Sequence, residues 1–342
     1  MNARAPLMIL ALDNCWEQVH PDVVYVAEGF AGYPYWMAFT PFPHMYDRLE
    51  NPTLRASCDG IHWQKIFGTP DPLVPPPESR EWHHADTELV YSSGILHVIY
   101  LTIHDRSRNV TFNVISCKDD LQWSEPHVFH EDVGAVSPTF QVCGNVWHEW
   151  FIRMKAETRF RSSELVHREG FDLASLQHER KCNLEIPNHI PWHVDVLKVE
   201  GGYEALIAAY PYGTDSKRTR LFHLYSEDGI TFNLTSLSPV IAPSSFGWDN
   251  RMIYRSSFLK DPDGTYRIWY SAASWGCHLG IGLLGGPLNS LKELTTEVAP
   301  VQPYVRRIPG ELIGLIRYEV RRHVPSAFLS FVPTAFFLNR QR

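Results

Sequence analysis

His20-Pro21-Asp22-Val23-Val24-Tyr25 opens a segment that turns at Gly29 and Gly32 and returns as Tyr35-Trp36-Met37-Ala38-Phe39. This stretch decides the fold because its layout recurs: a polar cluster, an apolar strand, a Gly-centred turn, then an aromatic-rich strand. The second copy runs His84-Ala85-Asp86-Thr87-Glu88-Leu89-Val90-Tyr91, turns at Gly94 and returns over 96–101. A third runs Val136-Ser137-Pro138-Thr139-Phe140-Gln141-Val142, turns at Gly144 and returns over 146–152. The fourth is Trp192-His193-Val194-Asp195-Val196-Leu197-Lys198-Val199, then Gly201-Gly202 and 203–208. The fifth is Tyr254-Arg255-Ser256-Ser257-Phe258-Leu259, then Asp263-Gly264 and 266–270.

Successive starts lie about 50–65 residues apart, close to the period of a four-stranded propeller blade. The turn residues mark the first two strands of each unit as a hairpin. A third strand follows and often ends in a Ser-x-Asp-Gly turn, as in Ser57-Cys58-Asp59-Gly60 and Ser226-Glu227-Asp228-Gly229. No long helical pattern interrupts the series. The expectation is an all-β protein, a five-bladed β-propeller of four-stranded antiparallel blades over residues 1–286.

Composition bounds the function. With 342 residues, 44% hydrophobic and 13% aromatic, the chain can bury a sizeable core. A formal net charge of -7 argues against a nucleic-acid partner, which would require a basic face. The six cysteines are scattered, with no CxxC pair, which suits free thiols in a reducing compartment. Neither a secretory leader nor a membrane span is read from the apolar runs, so the sequence points to the cytoplasm.

In a propeller the first strand of each blade is innermost, so the strand starts converge at one end of the axis. That placement gathers His20 and Asp22, His84 and Asp86, Ser137, His193 and Asp195, and Arg255. On this reading three of the five blades carry His-x-Asp at one equivalent point. Third-strand starts add Glu50 and Asn51, Arg106 and Arg108, Glu157 and Arg159, Lys217 and Arg218, and Trp275 and His278. A concave pocket of convergent polar groups is the expected binding site.

With these motifs in place, residues 16–285 resemble the five-bladed propeller glycoside hydrolases, the arabinanase/xylosidase-like and invertase/levansucrase-like enzymes. The likeness is carried by the two blade openings at His20 and His84, the Ser57–Trp63 turn and the Tyr-Trp hairpins. It implies hydrolysis of glycosidic bonds in a poly- or oligosaccharide. It further implies Asp22 as base or nucleophile and Asp86 as the carboxylate that orients substrate and tunes pKa. The family's acid is a Glu on a later blade. Here Asp195 takes that position, with Glu50 and Glu185 as substitutes. His20, Glu50, His84, His193, Arg255, Trp275 and His278 are the expected substrate contacts.

Such chemistry needs two carboxyl groups on opposite sides of the bond, one protonated and one ionised. Crowded carboxylates raise one another's pKa, which keeps an acid protonated near neutrality. The basic side chains at the third-strand starts point to an acidic sugar. Each Asp has a structural alternative, a buried hydrogen bond between blades. A non-catalytic carbohydrate-binding propeller and a protein-interaction scaffold are the other readings. Convergent His and Asp are also metal ligands, but no HxH or HExxH brings them together, so neither metal nor cofactor is assigned. Residues 287–342 read as a basic, partly helical extension, with seven Arg against two Glu after residue 300.

Overall fold

The computed structural model describes residues 2–11, 17–155, 162–214, 218–276 and 278–294. The expectations for Cys15, Glu157, Arg159, Lys217 and Cys277, and for the chain past residue 294, lie outside these. Five sheets, antiparallel apart from one short edge strand, are arranged as the blades of a propeller. Blade one is β1 (Gln18–Phe30), β2 (Tyr33–Pro41) and β3 (Thr53–Ser57). Blade two is β4 (Trp82–Ser92), β5 (Ile95–His104), β6 (Asn109–Cys117) and β7 (His127–Val133). Blade three is β8 (Ala135–Cys143), β9 (Val146–Met154), β10 (Ser163–Gly170) and β11 (Gln177–Lys181). In blade four, β12 (Asn183–Leu184) lies outermost and parallel to β16 (Thr231–Leu234). Inside it are β13 (His189–Val199), β14 (Gly202–Pro211) and β15 (Arg220–Ser226). Blade five is β17 (Met252–Lys260), β18 (Tyr266–Ala273), β19 (Leu279–Gly286) and β20 (Lys292–Glu293).

The second strands are buried on both faces, because each blade is covered by two neighbours. That is why apolar residues stand side by side at their centres, as in Trp36-Met37-Ala38-Phe39 and Val98-Ile99-Tyr100-Leu101, where a half-exposed strand would alternate. Core clusters accordingly fill the gaps between blades. Trp36 and Leu54 of blade one meet Leu89 and Val98 of blade two. Trp150 of blade three meets Val194, Ile207 and Phe222 of blade four. Blade five closes on blade one through Trp269 and Ile281 against Met37 and Phe39, with Leu7 and Ile9 of the N-terminal segment between them.

That segment crosses the seam as a strap. Leu7 donates its N–H to the Ile281 carbonyl at 2.7 Å, and the Leu10 carbonyl accepts from Arg55 Nη2 at 2.6 Å. At the far end, β20 completes blade five beyond residue 286. Within the stretch read from sequence as a partly helical extension, Lys292–Glu293 is a strand. Leu291 is buried in the core between blades four and five, and that burial favours a strand at the sheet edge.

The Ser-x-Asp-Gly turns join blades. Asp59 Oδ1 accepts the N–H groups of Ile61 and His62, both at 2.8 Å, and Asp228 Oδ1 does the same for Ile230 and Thr231. The glycine carbonyls then receive an indole N–H from the preceding blade: Trp269 to Gly60 at 3.0 Å, and Trp150 to Gly229 at 2.7 Å. Both glycines have positive φ (76° and 74°), a conformation available to Gly at little cost.

Every innermost strand is interrupted by a bulge near its start. The pairing slips between Val19 and Asp22, Ala85 and Glu88, Val136 and Thr139, Pro191 and His193, and Ile253 and Ser256. His20, Asp86 and Ser137 occupy the bulges of the first three blades with φ of 55°, 48° and 54°. A bulge re-aims the side chain it carries. It also corrects the alignment of the repeats: Asp86 corresponds to His20 and Glu88 to Asp22. The His-x-Asp pattern is therefore equivalent in two blades, not three.

Candidate functional site

The corrected register stacks two polar layers on the axis. The layer nearer the strand starts holds His20, Asp86, Ser137, His193 and Arg255. Two residues further along each strand lie Asp22, Glu88, Thr139, Asp195 and Ser257. Both layers are buried.

The deeper layer is a closed ring of hydrogen bonds, in which each side chain accepts the backbone N–H of a neighbouring blade. Leu89 donates to Asp22 Oδ2 at 2.7 Å, Phe140 to Glu88 Oε1 at 2.9 Å and Val196 to Thr139 Oγ1 at 3.3 Å. Phe258 donates to Asp195 Oδ2 at 3.0 Å, and Val23 closes the circle on Ser257 Oγ at 3.0 Å. Thr139 also donates its hydroxyl to Asp195 Oδ1 at 3.1 Å. Arg255 reaches down from the upper layer, giving Nη2 to Glu88 Oε2 at 2.5 Å and to the Pro138 carbonyl at 2.9 Å.

Ligand-type oxygens of Asp22, Glu88 and Asp195 lie within 4.8 Å of one another around this single guanidinium. Burial, reinforced by the charge of Asp22, raises the Asp195 carboxyl to about 8 and Glu88 well above its usual range. Burial raises Asp22 as well, against the pull of Arg255. The Asp195 carboxyl therefore keeps its proton at neutral pH. Below it a channel of about 240 Å³ runs past Tyr91, Gln141 and Leu259.

The upper layer is organised differently. Asp86 Oδ2 accepts the Ser137 N–H at 3.0 Å, while Oδ1 is left facing the axis. Around Oδ1 stand His20 Nε2 at 3.4 Å, His193 Nδ1 at 3.5 Å and Arg255 Nη1 at 3.6 Å. All four are buried, and none has a hydrogen-bond partner among the described residues. A buried polar atom without a partner costs about 1–3 kcal/mol, so four converging on one point mark a place built for something else.

His20 is oriented by Thr40, whose hydroxyl lies 3.0 Å from Nδ1, with Glu50 Oε2 at 3.7 Å from the same nitrogen. Burial pushes His20 down to about 3, in spite of Asp86, and lowers His193 too. Both rings are neutral at pH 7, with lone pairs free to ligate. Burial opposes ionisation of Asp86, but the imidazoles and Arg255 outweigh it and hold the carboxyl well below its usual range. Half-buried Trp192 and Tyr254 wall the layer, with Tyr254 4.9 Å from the His20 ring and 4.7 Å from His193, and Trp192 4.5 Å from His193.

The structure thus brings His20, Asp86, His193 and Arg255 together, flanked by Glu50. It places Asp22 and Asp195 one layer lower, with their oxygens in the inter-blade ring. His84 is packed aside, its Nδ1 3.0 Å from the Thr102 hydroxyl and its Nε2 3.0 Å from the Pro75 carbonyl. Trp275 is exposed on the loop after β18, and His278 Nδ1 lies 3.9 Å from Glu17. Glu185 is exposed beside the outermost strand of blade four, and Arg106 and Arg218 are exposed as well. Sequence reasoning passed over Glu88, Thr40, Trp192 and Tyr254. The signal for Glu88 was its place two residues after Asp86, as Asp22 follows His20, and only the bulge makes that comparison valid.

The donor set fits a divalent transition metal. Ligand atoms about 2.0–2.2 Å from a tetrahedral metal stand roughly 3.3–3.6 Å apart. The nitrogen–oxygen separations at Asp86 Oδ1, 3.4 and 3.5 Å, have that spacing and are too long for hydrogen bonds of usual strength. Two neutral imidazoles and a carboxylate are a common set for such ions.

No known family profile matches the chain. In sequence it is 26% identical over 308 residues to the A type blood N-acetyl-alpha-D-galactosamine deacetylase of Flavonifractor plautii. The match covers 74% of this chain and 40% of that protein's length. Among solved structures, an N-acetylgalactosamine deacetylase from F. plautii, in complex with blood group B trisaccharide, superposes with a TM-score of 0.73. That pair shares 22% identity over 79% of this chain and 85% of the other. A thermostable family-43 glycoside hydrolase gives a TM-score of 0.61 at 12% identity, over 89% of this chain and 98% of the other. A xylan beta-1,4-xylosidase from Bacillus halodurans gives 0.59 at 13%, over 88% and 60%. The expected resemblance holds for the fold: this chain is a five-bladed propeller of the kind found in family-43 glycoside hydrolases.

Proposed function

We propose that the chain hydrolyses the acetamide of an N-acetylated amino sugar in a glycan, at the layer of His20, Asp86 and His193. The observation that carries this reading is the set of buried, unpartnered atoms converging on Asp86 Oδ1. The deacetylase relative supports it, although this chain spans only 40% of that protein's length. A divalent cation at this point would supply Lewis-acid polarisation of a carbonyl and a more acidic water.

The chain's own residues account for the rest. His20 and His193 offer neutral nitrogens, and Thr40 fixes the His20 ring. Arg255 Nη1 keeps Asp86 ionised. Glu50, beside His20, is the carboxylate that takes a proton from the attacking water and returns it to the leaving nitrogen. The water oxygen bonds to the carbonyl carbon, the C–N bond breaks, and acetate and the free amine leave. Trp192 and Tyr254 present ring faces on which a sugar stacks.

Chelator-stripped protein is expected to lose acetate release from an N-acetylgalactosamine-terminated oligosaccharide and to regain it with Zn²⁺, Mn²⁺ or Co²⁺. Asp86→Asn and His193→Ala should lower that rate on the order of 100-fold or more, since losing even a group that only orients a metal ligand costs about 10–100-fold. An Asp86→Asn variant with native near-UV circular dichroism and undiminished acetate release would remove the reading.

Glycosidic cleavage is the second reading, and the Asp195 carboxyl supports it. Raised to about 8, it keeps a proton at neutrality, as a general acid must. Against it, both Asp195 oxygens are engaged in the inter-blade ring.

A further inference from the structure

A second cluster of imidazoles lies on blade three, away from the axis. His148 on β9 and His167 on β10 face the same way, with His148 Nδ1 3.1 Å from His167 Nε2. Glu169 is paired across the strands with His148 and brings Oε2 to 3.9 Å from the same nitrogen. One ligand atom from each residue falls within 4.8 Å of the others. The two rings lie nearly parallel, 24° apart, and His148 packs against Trp150 of blade three and Tyr203 of blade four. His167 Nδ1 is buried without a hydrogen-bond partner among the described residues.

We infer that His148, His167 and Glu169 form a second divalent transition-metal site, of Zn²⁺ or Cu²⁺ class. The geometry carries it. The two nitrogens share a hydrogen bond at 3.1 Å, a separation already close to the roughly 3.3 Å between two ligands on one metal, so an ion would replace the shared proton with little movement of either ring, and a small rotation of the Glu169 side chain brings in its oxygen. Imidazole nitrogens with one carboxylate select this class over Mg²⁺ or Ca²⁺, which take oxygen ligands.

Burial lowers His148 and takes His167 to about 4, so both rings are neutral at pH 7. Arg180 holds the other Glu169 oxygen, Oε1, at 2.5 Å and Lys198 lies over the Tyr203 ring, so the basic charges nearby leave Oε2 toward the imidazoles. His148 and Glu169 are partly exposed, which gives an ion a path in from solvent. The site is independent of the axial layer and does not depend on what that layer does.

The test is Zn²⁺ content after equilibrium dialysis of the chelator-stripped full chain, compared with His148→Ala, Glu169→Gln and Asp86→Asn. His148→Ala should lose one equivalent per chain and leave acetate release unchanged. Glu169→Gln should weaken that equivalent on the order of tenfold, and Asp86→Asn should leave it in place. Because His148 is partly exposed, its variant is expected to keep the wild-type near-UV spectrum. Co²⁺ reports the donors: a visible spectrum of nitrogen and oxygen ligands is expected, and a thiolate charge-transfer band would overturn the assignment. Equal Zn²⁺ content in wild type and His148→Ala would overturn it as well.

Discussion

Asp86 shows how much one backbone dihedral decides. In sequence it follows His84 as Asp22 follows His20, and side-chain chemistry alone aligns the two pairs. Both innermost strands carry a one-residue bulge at a positive-φ residue, His20 in one and Asp86 in the other, and matching the bulges moves the sequence alignment by two residues, so Asp86 enters the upper layer and Glu88 takes the place of Asp22. Residue identity was legible: His20, Asp86, His193 and Arg255 were all expected at the axial end. Their grouping was not, because a bulge has no compositional mark when a non-glycine residue carries the positive φ. The Arg255–Glu88 pair is the residue-level prediction. Arg255→Met leaves Glu88 buried without its cation and is expected to cost about 3–5 kcal/mol in urea unfolding. The double variant Arg255→Met/Glu88→Gln should recover part of that loss. A single variant within about 1 kcal/mol of wild type would show that the pair is not what holds the two layers together.

Among the elements, the hairpins and Ser-x-Asp-Gly turns were read correctly, since turn residues and apolar runs are local signals. Their partners were hidden. Nothing near Gly229 announces that Trp150, 79 residues earlier, donates to its carbonyl. A Cβ at Gly229 would stand 3.1 Å from Trp150 Cζ2 and 3.2 Å from the Tyr203 ring, on a backbone at φ 74°. Gly229→Ala is therefore expected to destabilise by about 1–3 kcal/mol from the strained φ alone, read as a lower urea midpoint with an unchanged slope. An unchanged midpoint would mean the turn does not lock blade three to blade four. The short strand β20 was missed for a related reason: Lys292 and Glu293 carry no strand signature, and only the burial of Leu291 and pairing with β19 make them one.

At the scale of the whole molecule, the ring from Asp22 to Ser257 closes the propeller, and buried histidines together with Asp195 of that ring set its response to pH. Buried His20, His84 and His167 titrate near 3 to 4 in the fold but near 6.5 when unfolded, so the unfolded chain binds more protons between those limits. Stability should rise with pH up to about 6.5. Asp195 titrates near 8 in the fold and near 3.8 unfolded, so above 6.5 the folded chain holds the extra proton. Stability then falls toward pH 8, by up to about 1.4 kcal/mol per pH unit. Asp195→Asn should make that alkaline side shallower without abolishing it, because Glu88 is raised as well, and a fall of equal slope in the variant would assign it to groups other than Asp195.

The five-fold repeat made this architecture readable from sequence, whereas the chemistry depended on which layer each carboxylate entered. The measurement that tests it most directly is parallel quantification of acetate and of new reducing ends, released by the metal-loaded chain from an N-acetylgalactosamine-terminated oligosaccharide. Acetate without reducing ends, abolished in His193→Ala, is the predicted result. Reducing ends without acetate, abolished in Asp195→Asn, would contradict it.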